Sequence, residues 1–127
     1  MKDGITLTAL DGHSFEVYLA TPAGKPKAAV VVVQEIFGVN AHIKEVADRF
    51  TVAGYLVIAP ALFDRIAPDI TLAYDDDGVA EGRGLEDQAD ANSEFDVKAA
   101  IDHVASAGAV AVVGFCWGGV TCMAYGL

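Results

Sequence analysis

Basic residues are scarce in this chain: 127 residues include 8 Lys and Arg against 18 Asp and Glu, which gives a net charge of −10. Such an acidic balance argues against binding to nucleic acid, to an anionic membrane surface or to a dedicated phosphate site. The N-terminus also lacks the apolar stretch of a secretory signal. We therefore expect a cytoplasmic protein that contacts neither nucleic acid nor membrane.

Cysteine is nearly absent, since the chain has only Cys116 and Cys122. In a cytoplasmic protein, two cysteines are expected to be reduced thiols. The pair has neither C-x-x-C spacing nor histidines placed to complete a metal site, so the sequence predicts no metal. We interpret Cys122 as a core residue of a helix.

Charge is absent from the C-terminal stretch, residues 109–127, which approaches a membrane span in length. The stretch contains four glycines and two cysteines, and no basic residue flanks it. A buried strand followed by a buried helix explains the same apolarity. With 54% apolar residues overall, the chain is expected to fold around a core and not to be disordered.

Apolar patterns outline the secondary structure. They predict strands at residues 5–10, 15–20, 28–33, 55–59 and 109–115, and helices at residues 43–50, at residues 97–104 and after the last strand. Because strands and helices alternate after the first two strands, we predict an α/β fold: one domain over residues 1–127, with a mostly parallel sheet and helices on both faces. Residues 61–87 predict a long loop, whose acidic part (75–78) we interpret as solvated and not as a calcium site.

The sequence GFCWGG at residues 114–119 lies between the last strand and the last predicted helix. A strand, a glycine turn with one nucleophilic side chain and a helix make up a nucleophile elbow. Cys116 would lie at a helix N-terminus, which favours the reactive thiolate, and the N–H of Trp117 could face an oxyanion. A buried structural cysteine is the alternative. A phosphate-binding loop is disfavoured, because Val120 occupies the position of its lysine.

Glu35 follows Gln34 and the valine run at residues 30–33, so it is expected where a buried strand ends. The carboxyl ends of parallel strands meet at one edge of a sheet, which is where ligands bind in α/β folds. A carboxylate beside the thiol of Cys116 could hold it neutral or take its proton. A surface glutamate without a role is the alternative.

The segments QEIFGVN (residues 34–40) and GFCWGG (residues 114–119) together resemble the dienelactone hydrolases, or carboxymethylenebutenolidases. The resemblance implies an α/β-hydrolase fold that is truncated after the elbow, and a Cys-His-Asp triad that opens a lactone through an acyl-cysteine without a cofactor. It makes Cys116 the nucleophile, Glu35 its activating carboxylate, and Ile36 and Trp117 the sources of the oxyanion N–H groups. Arg83 is implied to contact a carboxylate on the ester or lactone substrate; a plain surface arginine is the alternative.

The chain departs from the family pattern in its histidines. The family's acid and histidine follow the nucleophile, whereas His13, His42 and His103 all precede Cys116. We expect His13 beside the first turn and the other two on solvated helix faces, and we assign none of them a catalytic role. The sequence therefore predicts a fragment, the N-terminal part of such an enzyme, with little or no turnover on its own.

Two other functions remain open at this stage. The chain could belong to another hydrolase of the same fold, such as an esterase or thioesterase. It could also be a non-catalytic truncated domain, because the strand at residues 109–115 would present an apolar edge that favours self-association.

Overall fold

The computed structural model describes residues 2–114, with side chains from residue 4 onward. Phe115, the elbow after it and the predicted C-terminal helix with Cys122 lie outside the described residues. The described elements are β1 (Lys2–Thr8), β2 (Ser14–Ala20), β3 (Ala29–Val33), α1 (Ala41–Val52), β4 (Leu56–Pro60), α2 (Asp76–Val104) and β5 (Val110–Gly114), with 3₁₀ turns at Leu62–Arg65 and Ala105–Ala107.

The strands form one five-stranded sheet in the order β1-β2-β4-β3-β5. β3 lies in parallel between β4 and β5, while β1 and β2 form an antiparallel hairpin that joins the sheet through β4. Each residue of β3 is buried, as its unbroken apolar sequence predicts for a strand covered on both faces. β3 therefore lies inside the sheet, and the three parallel strands direct their carboxyl ends to one edge.

A helix covers each face of the sheet, as predicted for an α/β fold. On one face, α1 buries Ile43 and Ala47 against Val30, Val32 and Val57. On the other face, α2 buries a stripe of small and branched residues against the central strands; these residues are Ala89, Val97, Ala100 and Val104. Asn40 caps α1: its Oδ1 accepts a hydrogen bond from the Ile43 N–H at 3.1 Å.

The predicted long loop at residues 61–87 is wrong, because α2 begins at Asp76 and runs for 29 residues. Asp75 is its N-cap, with Oδ1 accepting from the Gly78 N–H at 2.7 Å. Asp76 and Asp77 occupy the first turn, where negative charge interacts favourably with the helix dipole. The acidic run that we interpreted as a solvated loop is therefore a helix start. Within residues 2–114, neither α2 nor α1 has the length and apolarity of a membrane span.

Arg65, just after β4, connects the hairpin to α2. Its guanidinium donates to Asp11 at 2.8 Å and to Asp96 at 2.8 Å, and the Asp96 side chain is fully buried. Burial raises the pKa of Asp96, and the hydrogen bond and charge of Arg65 oppose that rise. At the exposed end of the network, the Arg65 hydrogen bond lowers the pKa of Asp11. The buried carboxylate therefore depends on Arg65 for its counter-charge.

We expect Arg65→Met to lower the free energy of unfolding by about 3–5 kcal/mol at pH 7, because Asp96 is left buried without a partner. A folded-state pKa above the unfolded value disfavours the charged form, so the loss should shrink as Asp96 takes up a proton below neutral pH. Urea unfolding at pH 7 and pH 5 measures both effects. Arg49→Met is the control, since Arg49 pairs with Glu45 on the surface of α1, and it should cost no more than about 0.5 kcal/mol. A pH-independent loss would contradict this explanation.

Candidate functional site

The carboxyl end of β3 continues into a tight turn formed by residues 34–38. The Gly38 N–H donates to the Glu35 carbonyl at 3.3 Å, and Gly38 has a φ of +92°, which favours glycine. A Cβ at Gly38 would lie 2.2 Å from the carbonyl oxygen of Ile70. The neighbouring Phe37 carbonyl accepts from the Leu72 N–H at 2.9 Å. The turn is therefore packed against the segment that leads to α2.

Gln34 fixes the base of this turn from inside the protein. Its side chain is fully buried; Nε2 donates to the Glu35 carbonyl at 3.1 Å, and Oε1 accepts from the Leu62 N–H at 2.8 Å. The amide thus ties the end of β3 to the residues that follow β4. Our sequence analysis assigned Gln34 no role, although a polar residue that directly continues a buried valine run is a recognisable signal for such a bridge.

Glu35 lies at the end of β3, as predicted, and its carboxylate is partly exposed. Its Oε1 accepts a hydrogen bond from the hydroxyl of Tyr74 at 3.0 Å, and the same hydroxyl accepts from Asn40 Nδ2 at 2.8 Å. Partial burial raises the pKa of Tyr74; the bond to Glu35 also raises it, against the opposing bond from Asn40. The hydroxyl of Tyr74 therefore stays protonated at neutral pH. Sequence analysis missed Tyr74, which is 39 residues from Glu35 and belongs to no motif.

Ile36 lies against α2 at Gly82, the residue that precedes Arg83. Ile36 is 8% exposed, and the backbone of Gly82 passes so near that a Cβ there would lie 2.3 Å from the Ile36 carbonyl oxygen. Arg83 is the next residue and is exposed on α2. The backbone of α2 therefore packs against the turn that carries Glu35, one residue before the exposed Arg83.

The pairing of β3 with β5 fixes where β5 ends relative to β3. Val33 pairs with Gly114 in parallel register. Cys116 and Trp117 lie outside the described residues, so their predicted roles are not tested. Glu35 is two residues beyond Val33 in sequence, just as Cys116 is two residues beyond Gly114.

The predicted histidine positions agree with the structure. His13 lies between β1 and β2, whereas His42 on α1 and His103 on α2 are both exposed. Within residues 2–114, no group of three or more His, Cys, Asp or Glu residues is arranged to hold a metal ion.

A cavity of about 320 Å³ opens between the hairpin and residues 69–71. Its walls include Glu16, Lys44 and Asp64. Of the predicted site residues that the structure describes, Glu35, Ile36 and Arg83, none lines this cavity, but Gln34, which directly precedes Glu35, does.

Parallel central strands between two layers of helix, with a carboxylate at the end of one strand, define an α/β-hydrolase fold. Within that class, the chain belongs to the dienelactone hydrolase family, whose model matches residues 15–126. The sequence-based family resemblance and fold class are both confirmed.

Individual relatives agree with this assignment. The carboxymethylenebutenolidase of Pseudomonas putida is 32% identical over 94% of this chain and 53% of its own length. Carboxymethylenebutenolidase 1 of Cupriavidus pinatubonensis is 34% identical over the same shares of each chain. A dienelactone hydrolase-like promiscuous phosphotriesterase from metagenomic libraries matches with a TM-score of 0.69 at 25% identity, over 96% of this chain and 52% of its own. The chain thus spans about half the length of the curated relatives it matches.

We expect Gly82→Ala to lower the free energy of unfolding by about 1–3 kcal/mol, because the added methyl group would collide with the Ile36 carbonyl and displace α2 or the turn. Gly84→Ala is the matched control: it lies in the same helix with nothing within 4 Å of its Cβ position. There the better helix propensity of alanine should stabilise the protein by up to about 1 kcal/mol. Urea unfolding of the two variants should give opposite signs; equal signs would contradict a close contact at Gly82.

Proposed function

We propose that this chain is the N-terminal part of a cytoplasmic, cysteine-dependent hydrolase of small esters or lactones, with Cys116 as nucleophile and Glu35 as its activating carboxylate. The observation that carries the proposal is the parallel register of β3 and β5. Neighbouring strands lie about 4.8 Å apart, so residues at equal distances beyond the Val33–Gly114 pair start from adjacent points on one edge. That placement favours a carboxylate and a thiol in one site.

Cys116 would attack the carbonyl carbon of the ester as a thiolate. Glu35 would take the thiol proton, a carbon–sulfur bond would form, and the carbon–oxygen bond to the leaving group would break. In a lactone, the leaving alkoxide stays attached to the acyl group and would take up the proton that Glu35 accepted from the thiol. Water then cleaves the acyl-cysteine, which gives the free acid and returns the thiol.

The developing oxyanion would be held by the N–H groups of Ile36 and Trp117. The position of Ile36 supports its part, because its backbone lies between the buried anchor of Gln34 and the close contact with Gly82. Donors fixed before the reaction need no reorganisation, and one such donor is worth roughly 3–4 kcal/mol of the barrier.

Arg83 would bind a carboxylate carried by the substrate. Its exposure on α2, one residue after the contact between Gly82 and Ile36, supports this role. A guanidinium matches the geometry of a carboxylate with two parallel hydrogen bonds. In an otherwise acidic protein, it would also offset the repulsion that an anionic substrate meets.

The family resemblance puts the triad acid and histidine after the nucleophile, whereas all three histidines of this chain precede it. Turnover is therefore best tested in the source protein that carries this chain. The 127 residues alone are expected to hydrolyse esters weakly or not at all, because the histidine and the acid of a triad supply most of its rate.

We expect Cys116→Ser to abolish hydrolysis of a lactone such as a dienelactone, and Glu35→Gln to lower kcat by roughly 10²- to 10⁴-fold, the range for losing a general base. Two matched controls should leave kcat within about twofold, because neither residue has a role in the proposed chemistry. Cys122→Ser tests for a general effect of losing a thiol. Glu45→Gln neutralises a glutamate that pairs with Arg49 on the exposed face of α1. Activity that survives Cys116→Ser would exclude the thiol mechanism.

A phosphotriester is the second candidate substrate, because a relative of similar fold is named as a promiscuous phosphotriesterase. The same thiol and oxyanion donors could serve attack at phosphorus. Rates for a lactone, an aryl ester, a thioester and a phosphotriester, measured on one preparation, separate these classes. A preference for the lactone that disappears in Arg83→Gln would support a carboxylate-bearing lactone.

The non-catalytic alternative is association through β5. β5 ends the sheet in the described part of the chain, with β3 on its only described side. A second copy could pair with that edge as an added strand. A concentration-dependent dimer in sedimentation, combined with no change in any hydrolysis rate on Cys116→Ser, would favour this alternative over an enzyme.

A further inference from the structure

We propose that Tyr74 is a positioning residue that holds the Glu35 carboxylate, and that Asn40 sets the direction of the Tyr74 hydroxyl proton. This inference rests on the proposed role of Glu35 in activating Cys116. It assigns a function to the series of hydrogen bonds that links Asn40, Tyr74 and Glu35.

The direction of the hydrogen bonds follows from the cap of α1. The Ile43 N–H can only donate, so the Asn40 atom that it meets at 3.1 Å is the amide oxygen. The other end of the amide is therefore the NH₂ group, which donates to the Tyr74 hydroxyl at 2.8 Å. A hydroxyl has a single proton, and Tyr74 must direct it to Oε1 of Glu35, which lies 3.0 Å away.

Tyr74 is fixed in place although its side chain is 60% exposed. Its ring packs at a tilt against Phe37, with the ring centroids 4.3 Å apart. Its backbone directly precedes Asp75, the N-cap of α2. Three contacts therefore hold the Tyr74 hydroxyl in position. They come from Asn40 at the start of α1, from Phe37 in the turn after β3, and from the backbone at the start of α2.

The consequence for Glu35 is a restricted carboxylate. A partly exposed glutamate otherwise samples several rotamers, and freezing them at the moment of reaction costs free energy. With one carboxylate oxygen held by Tyr74, the other oxygen is the one that remains for the thiol proton. Such pre-organisation raises the rate of a proton transfer without adding contacts to the substrate.

The decisive variant is Tyr74→Phe in the source protein, because it keeps the ring against Phe37 and removes only the hydroxyl. We expect kcat for the lactone to fall about tenfold, the size of one hydrogen bond to a charged group, with KM changed less than about twofold. Tyr55→Phe is the matched control, since Tyr55 packs edge-on against Phe50, on the face covered by α1. It should leave both constants unchanged.

Asn40→Ser tests the direction of the hydroxyl. Serine preserves the helix cap but has no amide to donate to Tyr74. We expect a smaller loss of kcat than in Tyr74→Phe, of about two- to fivefold, again without a change in KM. A full loss of folding in Asn40→Ser, seen by circular dichroism, would show that the cap dominates and would overturn the part assigned to Asn40.

A double-mutant cycle separates positioning from general stability. If Tyr74 acts through Glu35, adding Tyr74→Phe to Glu35→Gln should change kcat by less than about twofold, since the two residues are coupled. If the losses of kcat in the two single variants multiplied in the double variant, the positioning role would be overturned. It would also be overturned if Glu35→Gln lowered kcat while Tyr74→Phe left it unchanged. An unchanged kcat in Glu35→Gln would instead overturn the proposed function of Glu35 itself, and the positioning role with it.

Discussion

The buried amide of Gln34 is the interaction on which the predicted site depends. A side-chain amide inside an apolar core is stable only when its donors and acceptor are bonded, and Gln34 meets that demand by joining the Glu35 carbonyl to the Leu62 N–H. These two partners belong to the ends of neighbouring parallel strands. The hydrogen bonds therefore fix how the chain leaves β3, and with it the direction in which Glu35 and Ile36 emerge.

A second constraint comes from the opposite side of the turn. Gly38 lets the chain reverse against the Ile70 carbonyl, and Gly82 lets α2 approach the Ile36 carbonyl. Each contact has room for hydrogen but not for a methyl group. Because glycine costs helix stability, a glycine inside a long helix is best explained by such a contact. Gly82 therefore serves the packing of α2 against the turn more than it serves the helix.

Local signals in the sequence were sufficient for much of the fold. The valine run of β3 and the helical spacing around Ile43 each specify their own element, and both predictions were confirmed. The start of α2 was missed because Gly78, Gly82 and Gly84 look like loop residues when their tertiary contacts are unknown. The link between Tyr74 and Glu35 was missed for the same reason: it is made by folding, and neither residue reveals it alone. Sequence predicted the position of Glu35 because strand ends can be read from composition, whereas the partners of its carboxylate cannot.

The arrangement also explains why the two halves of the predicted chemistry are so far apart in sequence. Glu35 and Cys116 are separated by 81 positions, yet β3 and β5 are adjacent in the sheet, because the intervening β4 pairs on the other side of β3. A parallel connection requires a crossover, and here α2 provides it. The same helix carries Gly82 past Ile36 and exposes Arg83 one residue later. A change that shifted α2 would therefore disturb the proposed oxyanion donor and the proposed substrate contact together, while the pairing of β3 with β5 could remain intact.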